Sequence, residues 1–139
     1  MDLDTALSFV RRHRHGVLVT QKRDGRPQLS NIVYAVDDEG VVRISITAGR
    51  AKAANLARDP RASLHVTQDD FYAYAVLEGD AELSPVVAVV DDEAADELVE
   101  VYRAIAGEHD DWDDYRQALV RDQRLVVRLR PAHAYGMLP

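Results

Sequence analysis

Cysteine is absent from this chain of 139 residues, which removes disulfides, thiolate nucleophiles and cysteine-ligated zinc in one step. Aromatic residues are scarce at 6 %, with a single tryptophan, and no apolar run approaches the length of a membrane span. Positive charge is also short. Seventeen Lys and Arg stand against 24 Asp and Glu, for a net charge of -7 and a pI near 5.1. General binding to nucleic acid or to an anionic membrane would therefore need a local basic patch working against the overall field. The opening Met1-Asp-Leu-Asp4 has neither a basic segment nor an apolar core of a leader, so a cytoplasmic protein is expected. Familiar catalytic signatures are missing as well. Neither Ser30 nor Ser45 lies on a nucleophile elbow, no His-Glu-x-x-His run occurs among the five histidines, and Ala48-Gly49-Arg50 is not a phosphate-cradling Walker loop. No metal site is expected, and no catalytic residue can be named. What is present, 47 % hydrophobic and 29 % charged residues, is ordinary for one globular domain spanning 1–139.

The informative stretch is Thr47-Ala-Gly-Arg-Ala-Lys-Ala-Ala-Asn-Leu-Ala-Arg-Asp-Pro60. An alternating strand, with Val42, Ile44 and Ile46 on one face and Arg43, Ser45 and Thr47 on the other, runs into a glycine and a short helix that Pro60 ends. Arg50, Lys52 and Asn55 fall in its first turns, where free N–H groups and the dipole favour an anion. Lys52 and Asn55 are three apart and share a face, and Arg50 offers a planar fork from the edge. Two readings stand: a seat for one phosphate, or a solvated basic turn.

Around this stretch, apolar spacing predicts a helix over residues 2–13 and a strand over 17–20. A hairpin turn at Lys22-Arg-Asp-Gly25 leads to a strand from Pro27 to Val36. That second strand carries Gln28, Ser30 and Asn31 in its middle, where packing would prefer apolar groups, so those three need partners among neighbours, water or a ligand. Later strands are expected at 41–47, 62–67, 71–83 and 124–130, with the tail 132–139 either extending the sheet or crossing to a partner. Helices are expected at 91–106 and 113–121. His65 is read as a surface sheet residue, and Tyr72 and Tyr74 as side chains suited to wall a planar ring or to fill a core. Six strands in mostly hairpin order exclude a doubly wound parallel sheet and point to a small antiparallel barrel with short flanking helices. An anion seat, a polar strand face and paired tyrosines are parts for holding a phosphorylated flat molecule whose cofactor supplies the chemistry.

Several segments together resemble a known family: Gly25-Arg-Pro-Gln-Leu-Ser-Asn31, Arg50-Ala-Lys-Ala-Ala-Asn-Leu56, Asp59-Pro-Arg-Ala-Ser63, Tyr74-Ala-Val-Leu-Glu-Gly79 and Ile105-Ala-Gly-Glu-His-Asp-Asp-Trp-Asp-Asp-Tyr-Arg-Gln117. The chain is similar to the flavin and deazaflavin reductases of the pyridoxamine-phosphate-oxidase-like family. Within that family it is most similar to the actinobacterial branch that uses the 5-deazaflavin coenzyme F420. The resemblance implies a six-stranded split β-barrel and a homodimer with two cofactor clefts at the subunit interface. It implies hydride transfer between the reduced deazaflavin and a small unsaturated or quinone-like acceptor. Arg50 and Lys52 match the positions that hold the cofactor phosphate, with Asn55 beside them. Pro27, Gln28, Ser30 and Asn31 match the strand facing the ring, and Ser45, Ile46 and Thr47 match the backbone edge near its pyrimidine end. Tyr74 and Trp112 match wall or partner contacts. Typical pyridoxamine-phosphate oxidases carry Ser-Arg-Lys at the seat where this chain has Arg-Ala-Lys, which speaks against a pyridoxal phosphate substrate. Flavin mononucleotide (FMN) in the same fold, and a cofactor carrier without catalysis, are the alternatives.

Overall fold

Alternating burial builds the molecule. The computed structural model describes residues 1–139, in the order α1 (Leu3–Arg11), β1 (His15–Gln21), β2 (Pro27–Val33), β3 (Ala35–Val36), β4 (Val42–Thr47), α2 (Ala51–Arg58), β5 (Arg61–Thr67), β6 (Tyr74–Leu83), α3 (Glu93–Ala106), α4 (Trp112–Arg121) and β7 (Arg124–Met137). All pairings are antiparallel, in the sheet order β2-β1-β5-β6-β7-β4-β3. Every second residue of β4 and β5 turns inward, so Val42, Ile44 and Ile46 meet Ala62, Leu64 and Val66 in one core. Helix α1 is capped by Asp2, whose carboxylate accepts from the Thr5 amide, and its Phe9 and Val10 join that core. A smaller cluster, with Leu98, Leu119 and Val126, seats α3 and α4 on β7.

The expected antiparallel barrel is found, with seven strands where six were expected. The run from Pro27 to Val36 divides at Tyr34, which is 1 % exposed. The Tyr34 hydroxyl donates to the Val10 carbonyl at 2.6 Å and its amide donates to the Arg14 carbonyl. Burial pushes the phenol well above its ordinary pKa. On one side of Tyr34, β2 pairs with β1; on the other, β3 pairs with β4. Since β2 and β3 are opposite ends of the sheet and only one residue separates them, the sheet must curl until its edges meet. Beyond Arg43 no strand pairs with β4 on its β3 side, and β2 pairs only with β1. The chain closes the barrel there, and the hydrogen-bond ladder does not.

One boundary also moved, and the tail and a bulge are now placed. The strand expected from Phe71 starts at Tyr74, because the Asp70 carboxylate accepts from the Tyr72 amide and Gln68 Nε2 and folds a turn in which Phe71 has φ +71°. The tail extends the sheet, with β7 pairing to β6 as far as Met137. Glu78 and Gly79 form a bulge in β6, and a Cβ on Gly79 would lie 2.1 Å from the Arg130 carbonyl oxygen.

Candidate functional site

A cleft of about 890 Å³ opens on the outer surface where the barrel is split, within the range of cofactor pockets. Its floor comes from β1 and β2 (His15, Gly16 and Val17; Asn31, Ile32 and Val33) and from His65 and Thr67 of β5. Ser45, Ile46 and Thr47 of β4 form the far wall, and Ile105 at the end of α3 forms the rim. One end is basic, with Arg50, Lys52 and Arg124. The register explains this. Thr47 pairs with Arg124, so the last residue of β4 and the first of β7 lie side by side just where the chain turns into α2.

These three cations have no carboxylate within ion-pair distance, in contrast to Arg43, Arg61, Arg103, Arg116, Arg128 and Arg130. Burial holds the Lys52 ammonium below its ordinary pKa, and the neighbouring charges of Arg50 and Arg124 push it further in the same direction. Helix α2 has no side-chain cap and no acid in its first turn, so its free N–H groups add to the same field. Like charges gathered without counterions in a chain of net charge -7 raise the energy of the empty cleft, and an anion would lower it. Beyond Arg43, the unpaired edge of β4 offers backbone donors and acceptors to the polar rim of a flat ring.

Of the residues singled out in the sequence, Asn31, Ser45, Ile46, Thr47, Arg50 and Lys52 line this cleft. The others lie elsewhere. Asn55 is 7 % exposed and faces away: its Nδ2 donates to Thr20 Oγ1 at 3.1 Å, and its Oδ1 accepts from Arg58 at 3.1 Å. Gln28 is in register with Thr20 and Ser30 with Leu18, so both share the inward face of β2 with those buried residues, while Pro27 is exposed at the strand's start. Tyr74 packs its ring on His65 at 5.5 Å, beside the cleft lining and on the sheet face it shares with Thr67. Trp112 opens α4 and belongs to a cluster with Tyr102, His109 and Tyr115, ring centroids 5.0–5.6 Å apart. Its Nε1 donates to Glu108 and Arg103 covers its face at 4.9 Å. Arg124, His65 and Thr67 are among the cleft residues that the sequence did not mark as part of a site. Only the register could have placed Arg124, since it lies 73 positions beyond the helix start at Ala51; the alternation of β5 already put His65 on the outer face.

A family model described as pyridoxamine 5'-phosphate oxidase matches residues 3–138. Among solved structures, a conserved hypothetical protein from Mycobacterium tuberculosis superposes with a TM-score of 0.76 at 28% identity, over 99% of this chain and 84% of that one. A structure named F420 reductase superposes at 0.68 with 25% identity, over 92% of this chain and 94% of that one. The heme storage protein HutZ from Vibrio cholerae, at 0.70 and 18% identity over 99% and 96%, shares the fold.

Proposed function

This chain belongs to the pyridoxamine 5'-phosphate oxidase family, and from that membership we propose that it is an oxidoreductase which holds the phosphorylated deazaflavin coenzyme F420 in the split-barrel cleft. Its acceptor is a small unsaturated or quinone-like molecule. The observation that carries this reading is the convergence of Arg50, Lys52 and Arg124, without acidic partners, at one end of a cofactor-sized cleft. The similarity to an F420 reductase supports the choice of deazaflavin.

The bound cofactor would supply hydride chemistry. The protein's part is to hold and orient. Arg50, Lys52 and Arg124 take the phosphate through charge-assisted hydrogen bonds. The unpaired edge of β4 and the amide of Asn31 meet the polar rim of the ring, and Val17 and Ile105 cover apolar surface. A second copy completes the enclosure. Register places Leu29 and Val33 of β2 and Tyr135 and Met137 of β7 on the same sheet face as the cleft floor, all of them between 41% and 63% exposed. An apolar strip of this kind fits the two-fold partner of a homodimer.

One observation favours FMN as a second reading. The acidic tail of F420 needs cations leading out of the seat, and Arg58 is already engaged by Asn55 and the Gln21 carbonyl, while Lys22 and Arg23 lie in the exposed hairpin turn. The test is a titration of the protein with oxidised and reduced F420 and FMN, followed by a panel of quinone, nitro and enone acceptors. At least about tenfold tighter binding of F420 (roughly 1.4 kcal/mol) with hydride transfer to one acceptor is expected. Preference for FMN shifts the cofactor, binding without turnover makes the protein a carrier, and binding of neither overturns the reading.

A further inference from the structure

The cleft contains an imidazole that the reading above leaves unused. His65 stands in the middle of β5, in register with Val17 of β1, which is itself in register with Asn31 of β2. The three side chains thus form one row across the cleft floor. The ring is half-buried and held from two sides, by the tilted ring of Tyr74 at 5.5 Å and by Thr67 Oγ1, 3.4 Å from Nε2. The other histidines are differently occupied. His13 is bonded through Nδ1 to the Phe9 carbonyl, His109 Nδ1 accepts from the Asp111 amide, His133 lies 4.0 Å from Glu78, and His15 is exposed at the cleft's end. No carboxylate lines the cleft. The titratable and charged groups that face it besides His65 are His15 from β1, Arg50 at the cap of α2, Lys52 from α2 and Arg124 from β7, with Tyr74 of β6 beside His65.

Reducing a double bond with hydride leaves one atom of the acceptor in need of a proton, and imidazole is the side chain best suited to deliver it near neutral pH. We infer that His65 is the proton-transfer residue of this cleft, oriented by Thr67 and Tyr74 and acting on the acceptor atom that becomes basic as its neighbour receives hydride. The inference rests on the oxidoreductase reading. In the step, the acceptor's π bond takes two electrons and a hydrogen nucleus as hydride from the reduced deazaflavin or flavin, forming one C–H bond. The imidazolium N–H bond breaks and a second C–H or an O–H bond forms on the acceptor. The cofactor leaves oxidised, and the neutral imidazole regains its proton from water in the open cleft.

Two measurements on the full-length protein test this. In the first, the His65 ring resonance, identified as the one missing from His65→Gln, is followed as F420 or FMN is added; it should shift, because the ring lies in the occupied cleft. In the second, wild type, His65→Gln and His65→Ala are compared for cofactor affinity and for turnover of an acceptor taken from the panel. Affinity should stay within about threefold, while kcat falls by about 10²–10⁴-fold in both variants. Added imidazole should restore His65→Ala by about tenfold or more, a rescue that a merely structural role would not give. A stationary resonance, turnover of His65→Gln at the wild-type rate, or a loss that imidazole does not restore overturns the assignment of His65 alone. Failure of the wild type to bind either cofactor, or to reduce any acceptor, overturns it together with the functional reading.

Discussion

Two residues three positions apart on one short helix show how far a spacing argument reaches. Lys52 and Asn55 share a face by helical geometry, yet Lys52 lines the cleft while Asn55 is spent on Thr20 and Arg58. A helix packed on a sheet divides such a face between its core side and its open side, and the sequence carries no mark of where the division falls. Asn55→Ala should therefore act on stability: it leaves the buried Thr20 hydroxyl without its partner, at a cost of about 1–3 kcal/mol. Urea denaturation should register that loss while cofactor affinity measured at saturating folded protein stays unchanged; a loss of affinity at full stability would return Asn55 to the ligand shell. Arg124 is the opposite case. Nothing near it in the chain marks it, and it reaches the seat only because β4 and β7 pair with Thr47 opposite it. Lys52 adds a pH signature. With its ammonium held below the ordinary lysine range by burial and by Arg50 and Arg124, affinity for a phosphorylated ligand should fall on the alkaline side before an exposed lysine would titrate. Lys52→Arg should carry the affinity to higher pH; an alkaline limb unchanged in that variant would mean that some other group controls it.

At the scale of elements, strands were legible because alternation forces them, and β4 and β5 lie within one residue of where the pattern put them. The division of the 27–36 run was not, since Tyr34 continues the alternation perfectly well; what stops the strand is a tertiary hydrogen bond to α1. Likewise the turn at Phe71 is set by Asp70 and not by a glycine. The attachment of α3 to the sheet is a second feature that only the structure reveals. Glu97 accepts from Arg43 at 2.9 Å and from Arg128 at 2.5–2.8 Å, and Arg43 also pairs with Asp37. The Arg128 hydrogen bonds first, and then the one from Arg43, hold the Glu97 carboxyl below its ordinary pKa. A depressed carboxylate contributes stability that is present above the unfolded value, about 4.3, and is lost as pH falls through the folded one. Glu97→Gln should thus cost about 1–3 kcal/mol near neutral pH and flatten the decline in stability below about pH 4. Denaturation midpoints across that range check this, and an acid decline as steep as wild type would place the linkage elsewhere.

For the whole molecule, the curl that brings two unpaired strand edges together also creates the cleft, and the sheet face that floors it runs on into exposed apolar residues. A homodimer follows as an expectation: Leu29→Glu or Tyr135→Glu should shift sedimentation toward the monomer and weaken cofactor binding with it, whereas a wild-type monomer with full affinity would remove the partner from the site. The barrel itself was readable because β2, β4 and β5 keep a two-residue period and short turns join successive strands. The cleft was half readable, since its basic end is local in sequence while its floor is assembled by pairing. The most direct test of the account is the affinity of wild type and Lys52→Ala for FMN and for riboflavin, and for the deazaflavin with and without its phosphate. Loss of one charge-assisted hydrogen bond to a phosphate, worth roughly 1.5–3 kcal/mol, predicts binding about tenfold to a hundredfold weaker for the phosphorylated ligands, eased by salt in the wild type, and nearly unchanged for the dephosphorylated ones. Equal loss for both members of each pair, or loss for neither, would contradict the claim that these cations are the phosphate seat.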